Sequence, residues 1–148
     1  MLLIVAAMLV TAIMIPFTGS GLDSNRTNLD VQAQIANDQL GSFAIAAWAS
    51  AHAGKTGPLD RNDLILPSGF NDDPANPFTA REDSGLVYIW ANNANAQFRP
   101  GAVLVGTDYT VDVGVSHGDH IDFRSGSSSP LPSWLPQSSN LIIVRIRA

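Results

Sequence analysis

Residues 29–53 read LDVQAQIANDQLGSFAIAAWASAHA, an alanine-rich stretch in which the larger apolar residues recur at helical spacing. Thr27, with Asp30 three residues later, resembles a capping box and predicts that a helix begins near this point. Gly54 is a stop signal, which predicts that the helix ends near residue 53. The positions expected to form one buried stripe are Val31, Ile35, Leu40, Phe43, Ala47 and Ala51, with Trp48 beside them.

Upstream of this helix, residues 1–17 read MLLIVAAMLVTAIMIPF and carry no charge. The first charged residue is Asp23, so about 21 residues could cross a bilayer, close to the number that a spanning helix needs. We therefore expect a transmembrane anchor over residues 1–22 and a periplasmic domain over residues 23–148, with a short Gly/Ser hinge at residues 18–24 where they meet. A cleaved signal peptide is the main alternative, but it normally has basic residues before its apolar run. A buried core helix is the third.

Downstream, residues 55–85 are rich in Pro, Asp and Asn and predict a long loop with one helical turn near residues 61–64. The apolar period then changes to two, which is typical of strands. The predicted strands are LVYIWA (86–91), AVLVG (102–106), YTVDVGV (109–115), HIDF (120–123) and LIIVRI (141–146). The third is expected to be half-solvated, and the last to have apolar residues on both faces. This order predicts an α+β domain in which a long helix packs on an antiparallel sheet.

Composition excludes several classes of function. The chain has 148 residues, a net charge of −5, one lysine (Lys55) and no cysteine. This is one domain's worth of sequence, and it lacks the basic surface of a nucleic-acid-binding protein. Without cysteine there is no disulfide framework, thiolate metal site or cysteine nucleophile.

The densest group of ionisable residues is HGDHID, which contains His117, Asp119, His120 and Asp122. Two imidazoles and two carboxylates could ligate zinc or iron, although their spacing matches no known metal motif. Because the group lies between two predicted strands and contains a Gly-Asp pair, a hairpin turn is the favoured interpretation. We therefore predict no resident metal, with these four residues as weak candidates only.

Other candidate sites are weaker still. Residues 71–77 (NDDPANP) and Asp83 offer oxygen ligands of the kind that calcium prefers, but EF-hand spacing is missing and a plain loop is favoured. The serines at 125–129 lack a nucleophile motif, and no phosphate-binding glycine pattern precedes a helix. The aromatic residues predicted to lie in the core are Phe43, Trp48, Tyr88, Trp90 and Trp134.

An uncharged N-terminal helix, a second alanine-rich helix and a C-terminal antiparallel sheet resemble the layout of type IV pilins and pseudopilins. The string LPSGFNDDPANPF (66–78) is similar to a stretch that follows the long helix in the type IVb group. Pilins usually carry glutamate at the fifth position of the mature chain, whereas this sequence has Val5. In length, N-terminal segment and acidic, cysteine-free composition, the chain more closely resembles the small PilM proteins of plasmid-type thin-pilus systems.

This resemblance implies a non-enzymatic, inner-membrane component of type IV pilus biogenesis. Its expected partners are other pilus assembly proteins or pilins and the membrane, with no nucleic acid, small-molecule substrate or cofactor. The implied location is the bacterial inner membrane, with a single span and a periplasmic C-terminal domain. The alternatives are a minor pilin or pseudopilin within the filament, and a periplasmic metal-binding or hydrolytic domain.

Overall fold

The computed structural model describes the backbone of residues 2–94, 97–100 and 110–148, and the side chains of residue 26 and of residues 28 onward within those ranges. One helix, α1, runs from Leu2–His52. The chain forms two compact units, residues 1–33 and 34–148. The first unit holds the N-terminal part of α1, and the second holds the rest of α1 and the sheet.

The predicted hinge at residues 18–24 is wrong, because α1 is helical through this segment. Glycine costs only about 1 kcal/mol relative to alanine inside a helix, and helix growth is cooperative once the flanking turns have formed. The predicted N-terminal membrane helix is also wrong, because no helix among the described residues is long and apolar enough to cross a membrane. The strongly apolar part of the uncharged run ends at Phe17, which is short of the ~20 apolar residues that a span needs, and α1 continues through the polar residues TGSG (18–21).

The C-terminal end of α1 lies within one residue of its predicted position. Gly54 adopts a φ of 96°, which is the left-handed conformation of a Schellman motif. The amide of Lys55 donates to the carbonyl of Ser50 at 3.3 Å, and the amide of Gly54 donates to that of Ala51 at 2.9 Å. These bonds satisfy carbonyls of the last turn and end the helix.

The described strands are β1 Gly57–Leu59, β2 Thr79–Asp83, β3 Leu86–Asn92, β4 Val111–His117, β5 His120–Phe123, β6 Ser128–Pro130 and β7 Leu141–Arg147. They form one seven-stranded antiparallel sheet in the order β1-β2-β3-β7-β4-β5-β6. A short 3₁₀ turn at Arg61–Asp63 confirms the helical turn expected in the loop after β1.

The predictions for β3, β5 and β7 are confirmed, while β4 begins two residues later than expected. The strand predicted at residues 102–106 lies outside the described residues. The strands β1, β2 and β6 were not predicted from the sequence. Two of them have only three residues, and TARED in β2 has no apolar alternation to reveal it.

One face of the sheet packs against α1. Leu40, Phe43 and Ala47 of α1 are buried with Ile89 of β3 and Val144 of β7. Val31 and Ile35 were expected to share this stripe, but both are exposed. The apolar sequence positions are therefore split between two sides of the helix, and only the side that carries Leu40, Phe43, Ala47 and Ala51 packs on the sheet.

The opposite face of the sheet is covered as well. Leu131 and Leu135, in the loop after β6, pack on Ile121 of β5 and Ile143 of β7. The prediction that β4 is half-solvated is wrong for part of the strand, because Gly114 and Ser116 are buried on the side expected to face solvent and only Asp112 is half-buried there. The hydroxyl of Ser116 donates to the carbonyl of Ser138, in the loop after β6, at 2.7 Å. The expectation of a buried apolar C-terminal strand is confirmed by β7.

An ion pair joins two parts of the connection between β1 and β2. Arg61 donates two hydrogen bonds to the carboxylate of Asp72, at 2.7 and 2.5 Å, and the amide of Phe78 donates to the same carboxylate at 3.0 Å. The guanidinium also lies 5.2 Å from the ring centre of Phe70. Burial would raise the pKa of Asp72, but the hydrogen bonds from Arg61 and Phe78 and the charge of Arg61 outweigh it, so the pKa is lowered.

We expect Asp72→Asn to reduce the free energy of unfolding by about 2 kcal/mol at neutral pH, because it removes the partner of Arg61 in a partly exposed pair. A carboxyl with a lowered folded-state pKa stabilises the protein above its ordinary value of 3.8, and this contribution is lost as the pH falls toward the folded pKa. Urea unfolding measures the free energy of unfolding of wild type and variant at neutral pH and below pH 3.8. The difference between the two proteins should be smaller at the acidic pH. A difference that does not depend on pH would contradict the role of the ionised carboxylate.

Candidate functional site

The group of ionisable residues predicted at 117–122 forms the hairpin between β4 and β5. His117 and His120 are directly opposite each other, and Gly118 and Asp119 form the two-residue turn. Gly118 has a φ of 63°, which a two-residue hairpin requires at its first position when the turn is of the II′ kind. The hairpin interpretation is therefore confirmed.

The side chains of this hairpin lie close together and are exposed to solvent. Nδ1 of His120 lies 3.1 Å from Oδ1 of Asp119. Oδ2 of Asp122 lies 3.5 Å from Nε2 of His120 and 4.0 Å from Nε2 of His117. The hydrogen bond to Asp119, with the charges of Asp122 and Asp119, raises the pKa of His120, and the hydrogen bond to His120 lowers the pKa of Asp119.

The imidazole of His120 therefore keeps its proton to a higher pH than a free imidazole does. Among the described residues, no group of three or more His, Cys, Asp or Glu side chains is arranged to hold a metal. The structure therefore brings the four candidate residues together as a network of charges and hydrogen bonds on the hairpin.

The oxygen-rich residues considered as calcium ligands are directed to separate partners. Asp72 binds Arg61, and Asp73 accepts a hydrogen bond from the amide of Ala75 at 2.9 Å. Asn76 exchanges two hydrogen bonds with the backbone of Asn92, at 2.6 and 2.8 Å. Asp83 accepts from Nε1 of Trp134 at 3.1 Å. Each of these four side chains thus shapes or anchors a loop.

The serine-rich segment at 125–129 contains the turn between β5 and β6. Oγ of Ser125 and Oγ of Ser127 are 2.9 Å apart, and the amide of Phe123 donates to the carbonyl of Ser127 at 2.9 Å. Neither hydroxyl is paired with a described histidine, and the segment forms the turn between β5 and β6.

The predicted aromatic core is confirmed. Phe43 and Tyr88 are buried, while Trp48, Trp90 and Trp134 are partly buried against the two cores. Nε1 of Trp48 donates to the carbonyl of Arg147 at 2.9 Å, which ties α1 to the end of β7.

The surface that sequence reasoning missed is the side of α1 that faces away from the sheet. Ile35 is 54% exposed and Ile45 is 37% exposed. Asp38 and Ala49 are also exposed, and Ser42 is half-buried between them. The signal that could have revealed this surface is charge, because Asp38 is the one charged residue between residues 31 and 51. A helix face with so little charge has the composition of an interface.

A family model described as PilM matches residues 5–143, which is most of the chain. No curated protein and no solved structure matches the chain.

Proposed function

The chain belongs to the PilM family and takes part in type IV pilus biogenesis, and from this premise we propose that it acts there as a non-enzymatic assembly component that binds other pilus proteins. The observation that supports this role is the exposed, charge-poor side of α1. Large apolar side chains that remain exposed on a folded domain indicate a surface for protein contacts. The periplasmic location expected from the sequence stays a prediction.

The edges of the sheet are poorly suited to binding a partner by the addition of a strand. Among the described strands, the two at the edges of the sheet are β1 and β6; each has three residues and contains a proline, Pro58 or Pro130. Short edge strands with proline disfavour the addition of a strand from another protein. This contrast supports α1 as the binding element.

The test is deletion of the gene in a strain that assembles the pilus, with complementation by the full chain. We expect surface pili to fall at least about tenfold on deletion and to return on complementation. Electron microscopy and quantification of sheared filaments measure the effect. Normal piliation in the deletion strain would contradict the proposal.

A minor pilin is the second candidate, and the helix-then-sheet order of the fold favours it over the hydrolytic alternative. Location separates the two roles. An assembly component should stay with the cells after shearing, whereas a minor pilin should be recovered in the sheared filaments. Recovery of the chain in filaments would assign it to the second role.

A further inference from the structure

Five residues on the outer side of α1 are spaced like the seam of a coiled coil. They are Ile35, Asp38, Ser42, Ile45 and Ala49, and we refer to them as the α1 strip. Their separations alternate between three and four residues, which places them in one row along the helix. All five lie in the unit formed by residues 34–148.

The α1 strip differs from an ordinary solvent-facing helix surface. Its one ionisable residue is Asp38, and the sixteen positions from 34 to 49 contain no lysine, arginine or glutamate. Exposed helix faces are normally rich in charge, whereas the centre of a protein interface is depleted of it. The small side chains of Ser42 and Ala49 would also allow another helix to approach closely.

The negative charge of Asp38 limits which binding partner can cover the α1 strip. Oδ1 of Asp38 accepts a hydrogen bond from Nε2 of Gln34 at 3.0 Å, and no cation among the described residues pairs with this carboxylate. Covering Asp38 without a cation would leave a desolvated charge, which is costly. A second copy of the strip brings no lysine or arginine. An anionic membrane surface would repel both Asp38 and a chain of net charge −5.

We propose that the α1 strip binds an amphipathic helix of another pilus protein, with apolar residues against Ile35 and Ile45 and a lysine or arginine against Asp38. The inference rests on the proposed function, because it names the partner chemistry of the same surface. The apolar contacts supply most of the affinity, and the cation selects the partner and its register.

A pair of synthetic helices tests the recognition. Each probe is a peptide of about three heptads with leucine at the seam positions. The two peptides differ at one central residue, which is arginine in one and glutamate in the other. The full chain should bind the arginine peptide at least about tenfold more tightly than the glutamate peptide. Asp38→Arg should reverse this preference, and Ile45→Asp should weaken binding of the arginine peptide by at least about tenfold. Fluorescence anisotropy measures the affinities.

The matched control is Ile65→Asp, since Ile65 is 93% exposed and lies outside the α1 strip. This variant should bind the arginine peptide as the wild type does. Failure to bind either peptide, or an Asp38→Arg variant with unchanged preference, overturns the proposal. So does self-association of the wild type, or binding to phosphatidylglycerol vesicles, that Ile45→Asp abolishes.

Piliation of cells separates this inference from the proposed function. The double variant Ile35→Asp/Ile45→Asp should lose pili at least about tenfold at an unchanged level of folded chain, and Ile65→Asp should assemble them normally. If deletion of the gene removes pili but the double variant assembles them, the strip proposal fails and the proposed function stands. If deletion itself has no effect, the proposed function fails.

Discussion

Replacing Phe43 with alanine is expected to reduce the free energy of unfolding by about 4 kcal/mol, the largest effect of any single change considered for this protein. Phe43 is 1% exposed, and its ring centre lies 5.9 Å from that of Phe70 and 5.6 Å from that of Phe78. Truncation removes its apolar contacts and leaves a cavity between α1 and the β1–β2 connection, which carries both rings. Urea unfolding followed by circular dichroism measures the loss.

The control for Phe43→Ala is Ile35→Ala on the same helix. Ile35 is exposed, so its truncation should change stability by less than about 0.5 kcal/mol. Phe43→Leu should fall between the two, because leucine refills part of the space. A loss of less than about 1 kcal/mol in Phe43→Ala would contradict a central role for this ring.

Replacing Gly114 with alanine is expected to cost about 3 kcal/mol, because a methyl group has no room at this position in β4. An added Cβ would lie 2.6 Å from the backbone oxygen of Asp122 and 2.9 Å from Cδ1 of Phe123. Phe123 is directly opposite Gly114 in the sheet, and the guanidinium of Arg145 lies 4.1 Å from the centre of its ring. The substitution must therefore separate β4 from β5 or displace this stack. Thermal and urea unfolding measure the cost.

The backbone contact gives this prediction a second, independent check. Ile121→Ala would remove the side-chain atom 2.9 Å from the new methyl group, but the Asp122 oxygen would remain. The double variant Gly114→Ala/Ile121→Ala should consequently be no more stable than Gly114→Ala alone. Full rescue by the second substitution, or a neutral Gly114→Ala, would show that β5 moves easily and that the tight pairing has no energetic importance.

Several features could be predicted from the sequence because they depend on neighbours along the chain. The end of α1 needs only Gly54 in a left-handed conformation, and the β4–β5 turn needs only Gly118 at its first position. The strands β3, β5 and β7 contain enough apolar side chains at a period of two to be recognised. The family resemblance, which the PilM match supports, likewise depended on sequence layout alone.

The predictions of a hinge and a membrane helix near the N-terminus were wrong because both relied on local sequence signals alone. Local signals at residues 18–24 favour a break by about 1 kcal/mol for each glycine, but cooperative helix growth on both sides opposes that preference. An apolar run likewise suggests a span without showing that the helix is long and apolar enough to form one. A few glycines or a short apolar run therefore favour a hinge or a span only weakly, and the rest of the helix determines whether either one forms.

What the sequence by itself determined about this protein is its α+β class, the end of its long helix, three strands, one tight turn and its family. Only the tertiary structure decided which side of α1 packs on the sheet, that Ile35 is exposed, and that Arg61 pairs with Asp72. The physical reason is that apolar residues at helical spacing indicate a helix but do not show which of them pack against the sheet. Burial depends on contacts between residues far apart in the chain, and these contacts also leave the α1 strip open.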